Sequence, residues 1–171
     1  MENKNLYHIG KTDIHSDIWL SKIDNKWFRV GKDIEYKVFG GTLIVPKDFI
    51  TDLASIPKIF ENIFPKHGLY DASAILHDYL YSGYSEYNIN RADSDMIFYK
   101  VMLLCNVDDC TANTMYKAVR LGGDNHYVRN KYNGNYPVDS TALIDKRKIY
   151  VEYKKQRNIL LPLFEEGIKN D

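Results

Sequence analysis

An adjacent histidine and aspartate, His77 and Asp78, lie in the middle of an apolar stretch that runs from Tyr70 to Tyr81. Titratable side chains are costly to bury unless a partner pairs with them. At 100° per residue, His77, Asp78 and Tyr81 share one helix face. A helix that is apolar nearly all round is buried, so the pair is expected to point into a protected cleft. It is therefore either a satisfied structural network or a reaction centre.

Asp93 is a candidate partner for His77. On a helix that begins at Arg91, Asp93 lies where an apolar residue is expected, on a stripe that also contains Met96, Ile97, Leu103 and Leu104. The two helices are joined by a short link, as antiparallel neighbours are, so Asp93 can lie beside the His77 turn. A carboxylate bonded to one imidazole nitrogen fixes the tautomer and raises the basicity of the other nitrogen. This pattern predicts His77 as a general base and Asp93 as the residue that orients it.

Asp78 is then predicted to hold a divalent cation, calcium or magnesium, because both prefer oxygen ligands. No other cofactor is predicted. The alternative is structural: His77 and Asp78 form a buried hydrogen-bond network, and Asp93 interacts favourably with the positive end of the helix dipole. The spacings alone favour this structural interpretation.

Four further residues are predicted to line the cleft. Two belong to the run 51–57, whose Asp, Ser and Pro residues favour a capped turn and whose functional interpretation is a loop beside His77. The serine in this run is a poor candidate nucleophile, because the strand–serine–helix elbow with flanking glycines is absent. The predicted lining residues are Asp52, Ser55, Tyr81 and Arg91.

The elements around these residues predict an α+β fold, with a small N-terminal antiparallel β-sheet followed by a helical half that contains an antiparallel helix pair. Residues 1–25 are expected to be a lead-in with short strands. Gly40-Gly41 predicts a hairpin turn, because glycine accepts the positive φ that tight turns need. Further strands are predicted over 27–30, 34–38 and 42–45.

Capping signals predict three helices. Asp71 is the expected N-cap of the first, and Asn90 with Asp93 forms a capping box at the start of the second. Either Asp108 or Asp109 caps the third. The predicted ranges are 71–82, 91–105 and 110–121, the last ending at Gly122-Gly123.

The length of 171 residues predicts a single domain. Within it, residues 1–50 are β-rich, 51–122 form the motif-bearing helical core, and 123–171 are a loop and C-terminal extension. In that extension, Ile149–Tyr153 is either a strand or the start of a last helix.

Composition narrows the function classes. Lys+Arg and Asp+Glu both number 23, so zero net charge gives no support to a nucleic-acid partner. Two cysteines are too few for a disulfide framework. The polar N-terminus lacks a signal-peptide pattern, and no apolar run approaches the ~18 residues of a membrane span, which predicts a soluble protein that is not secreted through a signal peptide.

Three motifs carry a family resemblance: the run 51–57, Ala74–Tyr81, and Arg91-Ala92-Asp93 followed by Phe98. In this order, within roughly residues 35–122, they resemble the phage and prophage family catalogued as domain of unknown function 1353. The resemblance implies a bacteriophage origin, a place in the host cytoplasm or the virion, and other virion proteins as partners. It leaves the oligomeric state open.

A second likeness covers Asp71 to Asp93. The pattern His77-Asp78-x-x-Tyr81 with the later aspartate is similar to the core of the phospholipase A(2) domain in parvovirus capsid proteins. In that group the histidine activates water, the adjacent aspartate binds calcium and the later aspartate orients the histidine, which implies those roles for His77, Asp78 and Asp93. The glycine-rich calcium loop has no clear counterpart, since only Pro65-Lys66-His67-Gly68 lies in its place.

Three hypotheses follow for the function. The first is a small phage hydrolase that acts on an ester or a phospholipid. The second is a virion or tail-assembly protein in which the His-Asp network is structural. The third is a factor that counters host defence through a ligand pocket at the same residues.

Overall fold

The computed structural model describes residues 6–53, 69–123 and Tyr127. In these ranges the fold is α+β, as predicted, and the strands precede the helices. The strands are β1 (Leu6–Ile9), β2 (Ile18–Lys22), β3 (Phe28–Val30), β4 (Ile34–Val38), β5 (Gly41–Val45) and β6 (Ile50–Thr51). The helices are α1 (Asp71–Tyr81), α2 (Arg91–Leu104) and α3 (Asp109–Gly122).

The strands form two antiparallel sheets. One has the order β1-β2-β3-β6, and the other is the β4-β5 hairpin. An isolated bridge between His15 and Tyr36 links the segment before β2 to β4. Strand β6 is short, but its pairing with β3 (Phe28 opposite Thr51) carries the chain from the sheet towards the helices.

The hairpin turn lies one residue earlier than Gly40-Gly41. Val38 pairs with Gly41, so Phe39 and Gly40 form the two-residue loop, with φ of 53° and 72°. Positive φ at both central positions is typical of a type I′ turn. The register is set by burial, because it places the buried residues Tyr36 and Leu43 opposite each other. As a result Phe39, and not only a glycine, adopts a left-handed conformation in the turn.

Strand β4 alternates buried and exposed residues, so one of its faces joins the core. Tyr36 is fully buried, and its hydroxyl donates a hydrogen bond of 2.7 Å to the carbonyl of Ala72 in α1. This contact and a shared apolar cluster attach α1 to the sheets. That cluster includes Ile18, Leu20, Val30, Ile34, Ile75, Leu76 and Leu80.

The ends of the helices agree with the sequence at α2 and differ at α1. Asn90 accepts a hydrogen bond of 2.9 Å from the Asp93 amide and donates one of 2.8 Å to the Asp93 carboxylate, which confirms the capping box. Asp71, predicted as the N-cap of α1, is instead its first helical residue. Tyr70 precedes it without a side-chain cap, and Asp71 is buried because the start of α1 lies in the core.

The cap of α3 is Asp108, which accepts a hydrogen bond of 2.9 Å from the amide of Thr111. Helices α1 and α2 run antiparallel, as predicted. Tyr70 shares an apolar cluster with Met102 near the end of α2, whereas Tyr81, at the other end of α1, contacts Asp95 near the start of α2. None of the described helices is long and apolar enough to cross a bilayer.

Candidate functional site

Helix α1 is buried along its whole length, with the sheets on one side and α2 on the other. His77 is 3% exposed. Its ring lies against Tyr81 and Phe98, with centroid distances of 4.1 Å and 4.8 Å. The adjacent residue, Asp78, is also buried. Both residues are therefore shielded from bulk solvent, and the cleft into which they were expected to point stays a prediction.

The partner of His77 is Asp95, not Asp93. His77 Nε2 lies 2.9 Å from Asp95 Oδ1, and Asp95 is 0% exposed. Asp93 is half-buried and serves the capping box of α2. The predicted stripe was wrong in phase: the buried face of α2 includes Asp95 and Phe98, whereas Leu104, which the predicted stripe would bury, is exposed. The capping box, which already uses Asp93, was the signal that could have redirected the prediction.

Asp95 accepts hydrogen bonds from α1 and α3 and forms an ion pair with Arg91 of its own helix. The Tyr81 hydroxyl donates to Oδ1, and Arg120 Nη1 donates to Oδ2 at 2.8 Å. Arg91 Nε lies 3.9 Å from Oδ2. Tyr81 and Arg91, which were predicted to line the cleft, thus contact Asp95, while Arg120 carried no sequence signal because it is distant along the chain. We call the five residues His77, Tyr81, Arg91, Asp95 and Arg120 the Asp95 network.

Arg91 also fastens the end of α3. Its Nη2 donates to the carbonyls of Val119 and Arg120, at 2.9 Å and 2.5 Å. The Val119 carbonyl also accepts the amide of Gly123 at 2.8 Å, whereas the Arg120 carbonyl is one of those that a helix end leaves without a backbone partner. The residue that caps the end of α3 must be glycine, since a Cβ at position 123 would lie 2.5 Å from the Val119 carbonyl and 2.9 Å from the Tyr81 hydroxyl. The close packing of this chain end holds Arg120 within reach of Asp95.

Burial and hydrogen bonding fix the charges in the network. Burial lowers the pKa of His77 below its ordinary value, although the hydrogen bond and charge of Asp95 act in the opposite direction. Burial also raises the pKa of Asp95, but the donors His77, Tyr81 and Arg120 outweigh it, and the net pKa is lowered. At neutral pH His77 is therefore neutral and Asp95 ionised, so Nε2–H donates to the carboxylate and Nδ1 carries the lone pair.

Asp78 faces the sheet instead of the Asp95 network. Its Oδ2 accepts a hydrogen bond of 2.5 Å from the Thr51 hydroxyl, and the Thr51 oxygen in turn accepts one of 3.0 Å from the amide of Leu53. Leu53 adopts φ of 55°, a left-handed conformation that costs free energy in a non-glycine residue. The pairing of β6 with β3 is what brings Thr51 to α1.

The described residues around Asp78 supply few of the ligands that the expected calcium ion would take. Calcium takes six to eight oxygen ligands. No group of three or more His, Cys, Asp or Glu side chains that could hold a metal occurs in the part of the chain that the structure covers. There, Asp78 contributes one carboxylate, and its partner Thr51 donates a hydrogen bond to that carboxylate.

The remaining predicted lining residues are Asp52 and Ser55. Asp52 forms an ion pair with Lys26, with 3.7 Å between Nζ and Oδ2. Ser55, the segment Pro65–Gly68 and Ile149–Tyr153 lie outside the described residues. Asp95, Arg120 and Thr51 were not among the predicted site residues. The spacing of Asp95 to Phe98 and Met102, i to i+3 and i+7, marks the buried face of α2 and could have identified Asp95.

A family model described as "Protein of unknown function (DUF1353)" matches residues 28–119, which is more than half of the chain. The chain belongs to this family. The matched region runs from β3 to the last turns of α3 and includes the Asp95 network up to, but not including, Arg120. The comparisons with curated proteins and with solved structures gave no match.

Proposed function

We propose that this protein is a small phage hydrolase that cleaves an ester, with His77 as general base and Asp95 as the residue that orients it. The observation that carries the proposal is the 2.9 Å contact between His77 Nε2 and Asp95 Oδ1. It holds a buried, neutral imidazole in one tautomer, with the lone pair on Nδ1. A base in this state can accept a proton at neutral pH.

In the proposed reaction, Nδ1 of His77 takes a proton from water while the water oxygen attacks the carbonyl carbon of the ester. The carbonyl π electrons move to the oxygen, and a tetrahedral intermediate forms. The Asp95 carboxylate stabilises the resulting imidazolium. When the intermediate collapses, the bond to the alkoxide breaks, and His77 returns its proton to that leaving group. The products are a carboxylic acid and an alcohol.

A phospholipid is the more specific version of the substrate. It is supported by the likeness of His77-Asp78-x-x-Tyr81 to the parvovirus phospholipase A(2) core, with Asp95 taking the orienting place that the likeness assigns to Asp93. The proposed origin is a bacteriophage, with the protein in the host cytoplasm or in the virion beside other virion proteins. Calcium at Asp78 stays an expectation of the likeness, and no step above depends on it.

The test uses the full chain with p-nitrophenyl butyrate and with phosphatidylcholine micelles, each assayed with added calcium and with EDTA. His77→Gln is the informative variant, because the glutamine amide can still donate to Asp95 while it cannot act as a base. Its rate should fall about 10²–10⁴-fold, the contribution of a general base. Asp93→Asn, on the same helix as Asp95, is the matched control and should keep wild-type activity.

Folding of each variant is checked by circular dichroism. A folded His77→Gln protein with undiminished hydrolysis contradicts the proposal, and so does a wild-type protein that cleaves neither substrate under either condition. Loss of activity in EDTA, restored by calcium, would extend the proposal to a metal-dependent reaction.

The second candidate is a structural role in the virion or in tail assembly. It is favoured by the burial of His77 and Asp95 and by the way Asp95 joins α1, α2 and α3. A structural network needs the donor to Asp95 and not the base. This candidate therefore predicts that His77→Gln supports phage growth, whereas His77→Ala, which lacks the donor, does not.

A further inference from the structure

We propose that Arg120 is a positioning residue that acts on His77 through Asp95, by supplying the counter-charge that a protonated His77 would otherwise provide. Arg120 and His77 contact opposite oxygens of one carboxylate, at 2.8 Å and 2.9 Å. The effect on activity rests on the proposed function, but the ionisation of His77 can be measured independently of any substrate.

The charges around Asp95 support this assignment. A fully buried carboxylate is unfavourable without a counter-charge. Arg91 lies farther from it than Arg120, and its Nη2 is directed to the carbonyls at the end of α3. Asp78 faces Thr51 of β6. Among the described residues, the other titratable or charged groups on Asp95 or its partners include His77 and Tyr81 from α1, Arg91 from α2, Arg120 with its neighbour Tyr116 from α3, and Tyr127, whose ring lies 5.0 Å from that of Tyr81.

Arg120 and His77 therefore compete as the source of positive charge on one carboxylate. While the guanidinium is in place, Asp95 is compensated and His77 stays neutral. If the guanidinium is removed, a proton on His77 becomes the nearest way to compensate the buried charge. The Arg120 side chain is 35% exposed, so a shorter polar residue can replace it with little disturbance of the core.

The experiment is an NMR titration of the histidine rings, with the His77 signals assigned through His77→Gln. The variants are Arg120→Gln, which removes the charge, and Arg120→Lys, which keeps it. Arg29→Gln is the matched control, since Arg29 is also 35% exposed and is paired with Asp48 at 3.8 Å on strand β3.

In Arg120→Gln the pKa of His77 should rise by about 1 or more, which is the size of effect that a neighbouring charge has on a pKa. In Arg120→Lys and Arg29→Gln it should stay near the wild-type value. If the protein hydrolyses esters, the acid limb of the pH profile moves to higher pH by the same amount in Arg120→Gln.

An unchanged His77 pKa in folded Arg120→Gln overturns the proposal, whether or not hydrolysis is found. If Arg120→Gln does not fold, the double variant Asp95→Asn with Arg120→Gln decides the question. Removing both members of a buried ion pair leaves no uncompensated charge. The double variant should then fold better than Arg120→Gln alone, and a double variant that is no better shows that Arg120 does not act through Asp95.

Discussion

Two neighbouring residues on α1 face very different surroundings. His77 faces the helical layer, where it shares the carboxylate of Asp95 with a tyrosine and an arginine. Asp78 faces the sheet layer, where it accepts a hydrogen bond from the hydroxyl of Thr51. One turn of a single helix thus makes a charged contact on one side and a contact with a neutral hydroxyl on the other.

The difference shows how the two layers are attached to α1. On the helical side, an ionised group is fully buried, and a guanidinium from a third helix balances its charge. On the sheet side, a two-residue strand delivers a small neutral donor. Removing one member of a charge pair is expected to lower the free energy of unfolding more than removing a neutral hydrogen-bond donor. Variants on the helical side should therefore be less stable than variants on the sheet side.

The largest expected effect is from Asp95→Ala, which removes the acceptor shared by His77, Tyr81 and Arg120. We expect a loss of about 3–5 kcal/mol in the free energy of unfolding, as for one partner removed from a buried ion pair. Urea denaturation measures it. The control is Asp93→Ala, which removes the acidic member of the Asn90–Asp93 capping box on the same helix, with an expected loss of about 1 kcal/mol or less. Equal losses in the two variants would contradict the assignment of Asp95 as the central acceptor.

A smaller effect is expected from Thr51→Val on the sheet side. Valine keeps the shape of threonine but removes the hydroxyl that donates to Asp78 and accepts from Leu53. The free energy of unfolding should fall by about 1–3 kcal/mol, because a buried carboxylate oxygen loses a donor. Thr51→Ser keeps the hydroxyl and should recover most of this loss. If the two variants are equally destabilised, packing and not the hydrogen bond is what matters at this position.

The smallest effect is expected in the pH dependence of stability, since it involves single protons. Burial lowers the pKa of His77 in the folded state, so the unfolded chain binds a proton more readily. The contribution of neutral His77 to the free energy of unfolding should be complete above about pH 6.5, the ordinary histidine pKa. It should be lost as the pH decreases towards the lowered pKa of the folded state. The lowered pKa of Asp95 adds a second loss below about pH 4.

His77→Gln should remove the first of these two losses and leave the second. Urea midpoints measured across the pH range for the wild type and the variant test this. A wild-type curve that is flat between pH 7 and pH 5 would show that His77 does not titrate with folding.

Local patterns allowed much of the helical half to be predicted. The Asn90–Asp93 capping box is decided by residues three apart, and its contacts confirm it. The pairing of His77 with an acidic residue of α2 was also anticipated, but the phase of α2 was set by its tertiary packing. Because the start of the helix uses Asp93, the buried face begins with Ser94 and Asp95.

Contacts between distant parts of the chain could not be predicted in the same way. Arg120 reaches Asp95 only because Arg91 and the bare backbone at Gly123 fix the end of α3. The pairing of β3 with β6 depends on register across a long connection and left no periodic signal in two residues. The position of the β-hairpin turn was missed by one residue, because cross-strand burial and not glycine content decided it.

The convergence of three helices on Asp95 also affects how the protein unfolds. The carboxylate has its full set of hydrogen-bond donors only when α1, α2 and α3 are all docked. A partly assembled chain with α3 detached keeps a carboxylate in apolar surroundings without the Arg120 charge, which makes that species unfavourable. The network therefore disfavours intermediates in which one helix is detached, and it makes the loss of the three helices cooperative. Because these contacts are complete only in the fully docked protein, they should chiefly slow unfolding.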